Sequence, residues 1–159
     1  MVGPDPKVLI LGTIPSVLSD RKKEYYGNPQ NQFWRVVHQV FDSEPSVIYK
    51  ERLEFLKERG IALWDVLGEC DIRKSIDPTI VNPVANDIPA LLKANKGIGH
   101  VFFNGKKASE LFKELVRPNA PQDLAILVSV TLPSSSTANA VKMEEKVASW
   151  KIIRTVLGP

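Results

Sequence analysis

The sequence has few of the residues that build disulfide frameworks and metal sites. Cys70 is the only cysteine among 159 residues, and the chain has two histidines. A lone cysteine cannot form an internal disulfide, and no Cys or His close to it in the sequence completes a zinc-binding set. We therefore expect no disulfide and no metal site, and we interpret Cys70 as a small buried apolar side chain.

Long hydrophobic runs are missing too. No stretch approaches the ~20 apolar residues of a membrane-spanning helix. Residues 1–12 (MVGPDPKVLILG) lack the basic region and long apolar run of a signal peptide. These absences predict a cytoplasmic protein without membrane contact. The net charge of +3 and the pI of about 9.0 permit a polyanionic partner without requiring one.

Common catalytic motifs are absent as well. Residues 12–16 (GTIPS) lack the glycines and the lysine of a nucleotide-binding P-loop, and Gly12 alone is no dinucleotide fingerprint. No G-x-S-x-G elbow occurs, so the serines of the last loop have no hydrolase context. They form either a polar turn or a phosphate-contacting loop: Ser134, Ser135 and Ser136.

What the sequence does contain is an alternation of strand-like and helix-like segments. Four short apolar runs are predicted strands, at 7–11, 61–66, 100–103 and 124–130. Segments with helical spacing lie between and after them, at 33–41, 49–59, 86–95, 106–115 and from Met143 onward. This pattern predicts an α/β protein: a single domain over 1–159 whose four-stranded, mostly parallel open sheet is flanked by helices on both faces. The pattern assigns no element to 67–83.

One stretch, Tyr25–Trp34 (YYGNPQNQFW), combines aromatic side chains with carboxamides at the start of a helix. It is either a hydrophobic corner with Asn28 as helix cap, or a site. In an open parallel sheet, ligands bind outside the carboxyl ends of the strands. The loops after all four predicted strands, including Asp65 and Asn104, should therefore converge with this stretch on one cleft. Such a cleft suits a planar polar ligand.

Three of these loops resemble motifs of the uracil-DNA glycosylase superfamily. The G-x-x-P-[GS] loop lies at 12–16 and the [HNML]-P-S loop at 132–136 (LPSSS). The P-x-N-x-F-W run at 29–34 is similar to that of the mismatch-specific uracil and thymine glycosylases. Together with the runs ALWDV and FNGKKA, the stretch most resembles the hypoxanthine-DNA (deoxyinosine) glycosylase branch.

The resemblance implies a monofunctional, monomeric DNA glycosylase that needs no metal or other cofactor. Its partner is single- or double-stranded DNA that contains deaminated bases: hypoxanthine, with uracil or xanthine as further candidates. Such an enzyme flips the nucleotide out and recognises the base in a pocket. It then cleaves the N-glycosidic bond through an oxocarbenium-like sugar, with a positioned water. Three alternatives stay open: a G:T/U mismatch-type uracil glycosylase, a non-catalytic lesion-DNA binder, and an unrelated enzyme acting on nucleosides.

The first loop departs from the pattern of the uracil enzymes. Those enzymes carry an Asp or Asn there to position water, and Ile14 stands at the matching position. An aliphatic side chain cannot orient a water, so the resemblance transfers this task to Asn28 or Asn31 on the neighbouring stretch. Asn31 matches the Asn of P-x-N-x-F-W and is the preferred catalytic candidate. Its alternative role is a structural bond between loop and helix.

The same resemblance assigns the other site residues. Tyr26 is expected to stack on the flipped base, with Thr13 and Ile14 beside it. Asp65 is expected to accept the N1–H of hypoxanthine, a proton that adenine lacks, or instead to cap the following turn. DNA contacts are expected from the last loop, Ser134, Ser135 and Ser136, and from two lysines that are otherwise surface residues, Lys106 and Lys107.

Overall fold

The computed structural model describes residues 1–73, 79–121 and 128–158, without the side chains of 69–73, 79 and 81. Strands and helices alternate along most of this chain, as the sequence predicted. In chain order the elements are β1 (Val8–Gly12), α1 (Val17–Lys22), α2 (Phe33–Val40), α3 (Tyr49–Glu58), β2 (Ile61–Asp65), β3 (Leu67–Arg73), β4 (Thr79–Ala85), α4 (Ile88–Ala94), β5 (His100–Asn104), α5 (Lys106–Leu111), β6 (Val128–Leu132) and α6 (Met143–Leu157).

The central sheet has four strands in the order β2-β1-β5-β6, and every neighbouring pair is parallel. The register aligns the strand ends: Gly12 lies opposite Asp65, and Asn104 lies opposite Leu132. All four carboxyl ends therefore meet at one edge of the sheet, which confirms the predicted α/β class and places the loops of interest together.

The apolar run of β1 is buried on both faces of the sheet. Val8 and Ile10 belong to a core shared with α2, α3 and α6, whereas Leu9 and Leu11 belong to a second core shared with α4 and α5. Successive side chains of a strand point to opposite faces, so a strand covered by helices on both sides needs apolar residues throughout. The helices flank the sheet on both faces, as predicted.

α2 is the helix that fixes the YYGNPQNQFW stretch. Its residues Phe33 and Trp34 are buried, and the ring of Phe33 packs edge-on against Trp150 of α6, with 5.8 Å between ring centroids. Full burial of an aromatic side chain stabilises a fold by about 1.5–3 kcal/mol. The carboxyl end of the stretch is therefore anchored in a helix that packs in the core.

The structure adds elements that the sequence pattern did not predict. β3 and β4 pair as an antiparallel hairpin within the unassigned segment 67–83, with register irregularities near Glu69. These irregularities and Pro83, which has no N–H to donate, explain why no regular alternation marks the hairpin. A short helix, α1, follows the predicted loop 12–16, and Ser16 caps it by accepting the Ser19 N–H at 3.2 Å.

Two boundaries also differ. β6 ends at Leu132 and not at Val130, and residues 124–127 of the predicted fourth strand lie outside the described residues. The predicted helix 106–115 is α-helical only to Leu111 and continues as a π-helical turn, Phe112–Val116. The side chain of Cys70 is also not described. Among the described helices, none combines the length and the apolarity needed to cross a membrane.

Candidate active site

A cleft of about 490 Å³ lies at the carboxyl edge of the sheet. The segment after β1, the YYGNPQNQFW stretch, the end of β2 and the start of the hairpin all contribute to its wall. Its lining comprises Ile14, Pro15, Ser16, Ser19, Asp20, Lys23, Glu24, Tyr25, Tyr26, Asn28, Asn31, Trp64, Asp65, Leu67, Gly68, Asn86 and Ser136. The structure thus brings five of the predicted site residues, Ile14, Tyr26, Asn28, Asn31 and Asp65, to one cavity, with Ser136 at its wall.

Gly12, at the end of β1, leaves space for the side chains of Asp65 and Tyr26. A Cβ atom at this position would overlap the Asp65 Oδ1 atom and would lie 3.0 Å from the Tyr26 hydroxyl. Only a residue without a side chain leaves room for both groups. The glycine of the G-x-x-P-S loop therefore has a steric role in this chain, and it places a carboxylate beside a phenol.

Asp65 is a carboxylate with little solvation. Only 8% of the residue is exposed, and within 1–73, 79–121 and 128–158 no group donates a hydrogen bond to its side chain. Burial raises the pKa of the Asp65 carboxyl from 3.8 to about 6, partly offset by the amino group of Met1. The predicted alternative, a cap for the next turn, would require such a hydrogen bond. Asp65 instead presents an unpaired acceptor to the cleft.

Tyr26 presents a ring to the same cleft. One face of this ring stacks on Phe33, with ring centroids 3.9 Å apart and the planes inclined by 13°. Its φ of 52° is unusual for a bulky residue and shows that packing against α2 holds the backbone in place. Burial, then the charge of Asp65, raises the pKa of the Tyr26 hydroxyl, so the phenol stays neutral at physiological pH. Tyr26 also belongs to the lining of the cleft, so its side chain can meet a ligand there.

The carboxamide of Asn31 has a fixed orientation. Its Oδ1 atom accepts the backbone N–H of Phe33 at 2.9 Å and the hydroxyl of Ser135 at 2.9 Å. These two bonds use both lone pairs of the oxygen. The Nδ2 group forms no hydrogen bond within the described part of the chain, so Asn31 offers the cleft a donor. Both predicted roles, the tie to the helix and the site, are therefore compatible with this residue.

Asn28 is held more loosely. Its Oδ1 atom accepts the N–H of Gln30 at 3.0 Å, and its backbone carbonyl accepts the N–H of Asn31 at 2.9 Å. These bonds close the turn around Pro29. The proposed helix cap is wrong, because α2 begins later, at Phe33. One lone pair and the Nδ2 group of Asn28 remain for a ligand.

Thr13 and Ile14 connect β1 to the cleft in different ways. The carbonyl of Thr13 accepts the N–H of Leu67 at 2.9 Å, which ties the loop to the hairpin, and its side chain is not part of the lining. Ile14 lines the cleft and packs against the second core. Its side chain supplies apolar surface to the wall of the cleft.

The last loop divides into an inner and an outer part. Ser135 has no exposed surface, so it cannot contact DNA as predicted. Ser136 lines the cleft, whereas Ser134 lies half-buried against Gly105 and outside the lining. Lys106 and Lys107 are exposed at the start of α5, also outside the lining. They lie at the same sheet edge, where contact with a DNA backbone remains a prediction.

Three further residues shape the site. The sequence placed Asn104 in a loop at this edge without giving it a role, and it predicted neither of the other two here. Asn104 ends β5 and holds Ser135 through two hydrogen bonds of 2.8 Å. Asn86, the first residue of the predicted helical segment 86–95, lines the cleft and donates to the Asp65 carbonyl at 2.9 Å, while Asp87 caps α4. The position of Asn104 at the end of a predicted strand could have identified it as a site residue. The periodicity of the sequence does not identify Asn86 in this way.

The third residue is Lys146, a buried lysine of α6 that braces the last loop. Its Nζ atom donates to Gln32 Oε1 at 2.8 Å and to the carbonyls of Ser136 and Asn139 at 3.1 and 3.3 Å. Burial lowers the pKa of this ammonium. The helical pattern of apolar residues in α6 does not show that one of its lysines is buried. Only the three-dimensional contacts of Lys146 identify its role.

The described residues provide no obvious metal centre: among them, no three His, Cys, Asp or Glu side chains cluster as ligands would. The cleft offers instead a carboxylate acceptor, a carboxamide donor and an aromatic face. This combination suits recognition of a planar heterocycle by stacking and by hydrogen bonds at its edge.

Comparison with known proteins identifies the family. The model of the uracil DNA glycosylase superfamily matches residues 1–156. The chain belongs to the uracil-DNA glycosylase superfamily. It is 34% identical to a hypoxanthine DNA glycosylase of Methanosarcina acetivorans over 92% of this chain and 89% of the relative, and 31% identical to one of Methanosarcina barkeri over 94% and 91%.

A solved structure agrees with this assignment. The solution NMR structure of a Methanosarcina acetivorans protein matches with a TM-score of 0.80 and 33% identity, over 96% of this chain and 94% of that one. The comparisons confirm the predicted resemblance, including its hypoxanthine branch. As a member of this superfamily the protein is a DNA glycosylase, a hydrolase whose substrate is DNA with damaged bases.

The steric role of Gly12 can be tested in this superfamily member by Gly12→Ala. The added methyl group must displace Asp65 or Tyr26, so we expect base excision to fall by at least about 10-fold while overpacking costs about 1–3 kcal/mol of stability. Single-turnover excision and urea unfolding measure the two effects. Gly99→Ala is the matched control, because its Cβ meets nothing within 4 Å. Equal activity of the two variants would contradict this role.

The brace formed by Lys146 can be tested by Lys146→Met. The change leaves three oxygen acceptors without their donor, and we expect the free energy of unfolding to fall by about 2–4 kcal/mol. Urea denaturation measures this. Lys151→Met, at an exposed position of the same helix, should stay within about 0.5 kcal/mol of the wild type. A loss no larger than that of the control would show that the brace is dispensable.

Proposed function

We propose that the protein excises hypoxanthine from DNA, with uracil and xanthine as related substrates, and that it acts as a monomer with residues 1–159 forming one domain. The observation that carries the proposal is the unpaired, poorly solvated carboxylate of Asp65 beside the Tyr26 ring. The names of the two Methanosarcina relatives support hypoxanthine as the first substrate to test. Single- and double-stranded DNA are both candidate forms.

Recognition of the base follows from the polarity of the cleft. The flipped base stacks on the ring of Tyr26, an interaction worth about 1–3 kcal/mol. The Asp65 carboxylate accepts the N1–H of hypoxanthine. Adenine has a lone pair at N1, which would face the carboxylate without a proton between them. Normal adenine is therefore disfavoured, whereas its deamination product fits.

Hydrolysis needs a positioned water more than it needs a nucleophilic side chain. As the bond between the base and C1′ breaks, its electron pair leaves with the base and positive charge develops on the sugar. The oxygen of the water then bonds to C1′, and the proton that the water loses neutralises the departing base anion through solvent. Asn31 holds this water through its Nδ2 group, and Asn28, with a free lone pair, is the second candidate for the same task. Fixed orientation lowers the barrier because no group must reorganise during the reaction.

The proposal is tested first by an excision assay on oligonucleotides that carry deoxyinosine, deoxyuridine or deoxyxanthosine, followed by alkali cleavage of the abasic product. Duplex and single-stranded forms are compared. Release of hypoxanthine supports the proposal, and activity confined to G:U or G:T mismatches would identify a mismatch-type enzyme. Binding without release from any substrate would identify a lesion binder, and hydrolysis of free inosine alone would indicate a nucleoside enzyme.

The role of Asn31 predicts a large loss of rate in Asn31→Ala. We expect the single-turnover rate on deoxyinosine DNA to fall about 100-fold, as for removal of a preorganised donor, while DNA binding is kept. Asn28→Ala should cost less, about 10-fold, because this side chain is held less firmly. Asn95→Ala, another half-buried asparagine but remote from the lining, is the control. Full activity of Asn31→Ala would exclude it as a catalytic residue.

The role of Asp65 predicts opposite changes in activity and stability. Asp65→Ala removes the acceptor, and we expect excision to fall about 10- to 100-fold, the loss for one charged hydrogen bond. Asp65→Asn removes the charge, so the free energy of unfolding should rise by about 1–3 kcal/mol at pH 8, because burial raises the pKa of Asp65 to about 6. A capping aspartate would instead lose stability on the change to alanine and gain none on the change to asparagine, which caps equally well.

The same pKa predicts a pH dependence with a definite sign. The folded-state pKa of Asp65, about 6, lies above its ordinary value of 3.8, so the cost of the charge is present above pH 6 and disappears as the pH falls toward 3.8. The stability advantage of Asp65→Asn should therefore shrink over this range. Wild-type excision should decline below pH 6 as the acceptor becomes protonated. Unfolding curves and single-turnover rates from pH 5 to 8 check both trends, and identical pH profiles for wild type and Asp65→Asn would contradict this assignment.

A further inference from the structure

A chain of buried hydrogen bonds runs behind the cleft from the end of β5 to Asn31. Asn104 donates from Nδ2 to the Ser135 hydroxyl at 2.8 Å, and this hydroxyl donates to Asn31 Oδ1 at 2.9 Å. Asn104 Oδ1 accepts the backbone N–H of Ser135 at 2.8 Å. Ser135 has no exposed surface, and Asn104 is 9% exposed. Bulk water therefore does not compete for these hydrogen bonds.

The direction of every bond in this chain is determined by backbone groups. A backbone N–H can only donate, so the N–H of Phe33 and that of Ser135 fix the oxygen positions of Asn31 and Asn104. The remaining end of the Asn104 carboxamide is then a donor, and it occupies a lone pair of the Ser135 hydroxyl. The proton of that hydroxyl is left to point at Asn31. No alternative arrangement satisfies all of the groups.

These hydrogen bonds determine which group of Asn31 faces the cleft. With its oxygen held by two donors, Asn31 can present only its Nδ2 group. The Tyr26 hydroxyl also lies against the Asn104 side chain, so one buried carboxamide contacts both the stacking residue and the residue that orients Asn31. Ser135 is further fixed by its carbonyl, which accepts the N–H of Gln32 at 2.9 Å.

We infer that Asn104 and Ser135 are positioning residues, which act on the reaction by fixing the donor orientation of Asn31. The inference rests on the proposed role of Asn31. It differs from a merely structural tie between loops, because a tie would affect stability whether or not Asn31 carries its carboxamide. A positioning role affects the rate only through that group.

A double-mutant cycle separates the two roles. In Ser135→Ala we expect the single-turnover rate on deoxyinosine DNA to fall about 10-fold with DNA affinity unchanged, since one of two restraints on Asn31 is lost. In an Asn31→Ala background, Ser135→Ala should cause no further loss. An equal 10-fold loss in both backgrounds, or no loss in either, would overturn the inference. Ser109→Ala, at a buried serine outside the cleft lining, is the control.

A second variant tests the direction of the bonds at nearly constant volume. In Asn104→Asp the new carboxylate has no proton to donate, so the Ser135 hydroxyl turns toward it and leaves Asn31 Oδ1 with a single donor. We expect a rate loss at least as large as that of Ser135→Ala, and a smaller one in an Asn31→Ala background, where only the contact with Tyr26 is changed. A wild-type rate in a folded Asn104→Asp variant would contradict the inference. Thermal unfolding of each variant confirms that it is folded.

A readout independent of catalysis distinguishes failure of the inference from failure of the proposed function. The side-chain amide resonances of Asn31, followed by ¹⁵N NMR, should shift in Ser135→Ala and in Asn104→Asp but not in Ser109→Ala. Unchanged resonances in the first two variants would refute the positioning chain even if excision is observed. Shifted resonances in a protein that excises no base would instead refute the role of Asn31 in hydrolysis.

Discussion

Parallel pairing of the four central strands is the constraint on which the rest of the molecule depends. Because β2, β1, β5 and β6 run in the same direction, their carboxyl ends share one edge, and each must be followed by a connection that leaves the sheet. Groups distant in sequence, such as Asn104 and Ser135, become neighbours because their strands end side by side at this edge. The sheet also needs helices on both faces, and one of them, α2, anchors the YYGNPQNQFW stretch through Phe33. The cleft forms because the connections that follow the parallel strands meet at one edge, between the helices that flank the sheet.

The buried polar groups around the cleft fall into two energetic classes. Ser135, Asn104 and Lys146 are fully paired, so their burial costs little and stiffens the loop after β6. Asp65 is the opposite: its side chain is desolvated and accepts no hydrogen bond within the described part of the chain, and the nearby amino group of Met1 offsets only part of the cost of its charge. A group that destabilises the free protein is expected where a ligand supplies the missing partner. This contrast between paired polar groups and one acceptor without a hydrogen bond supports the role proposed for Asp65 in base recognition.

Much of this organisation was predictable from the sequence. The features that were not predicted have identifiable physical reasons. The continuous apolar run in β1 indicated a strand covered on both faces, and parallel topology then predicted that Tyr26, Asn31 and Asp65 would meet. The hairpin of β3 and β4 was not predicted, since bulges break the alternation on which such a prediction depends. Ser135 was expected at the DNA surface, because a run of three serines does not reveal which hydroxyl points inward. That choice depends on Asn104, which contributes from another strand.

The substitution of Ile14 for the water-positioning residue of the uracil enzymes becomes intelligible in the same terms. Ile14 lines the cleft and also packs on the second core, so the first loop contributes shape and no hydrogen bonds. A carboxamide that orients water must itself be oriented, and the start of α2 provides a backbone donor for this purpose. Asn31 takes that donor from Phe33 and a second one from Ser135. The role proposed for Asn31 therefore depends on a helix end and a distant serine, two restraints that the loop after β1 does not supply to Ile14.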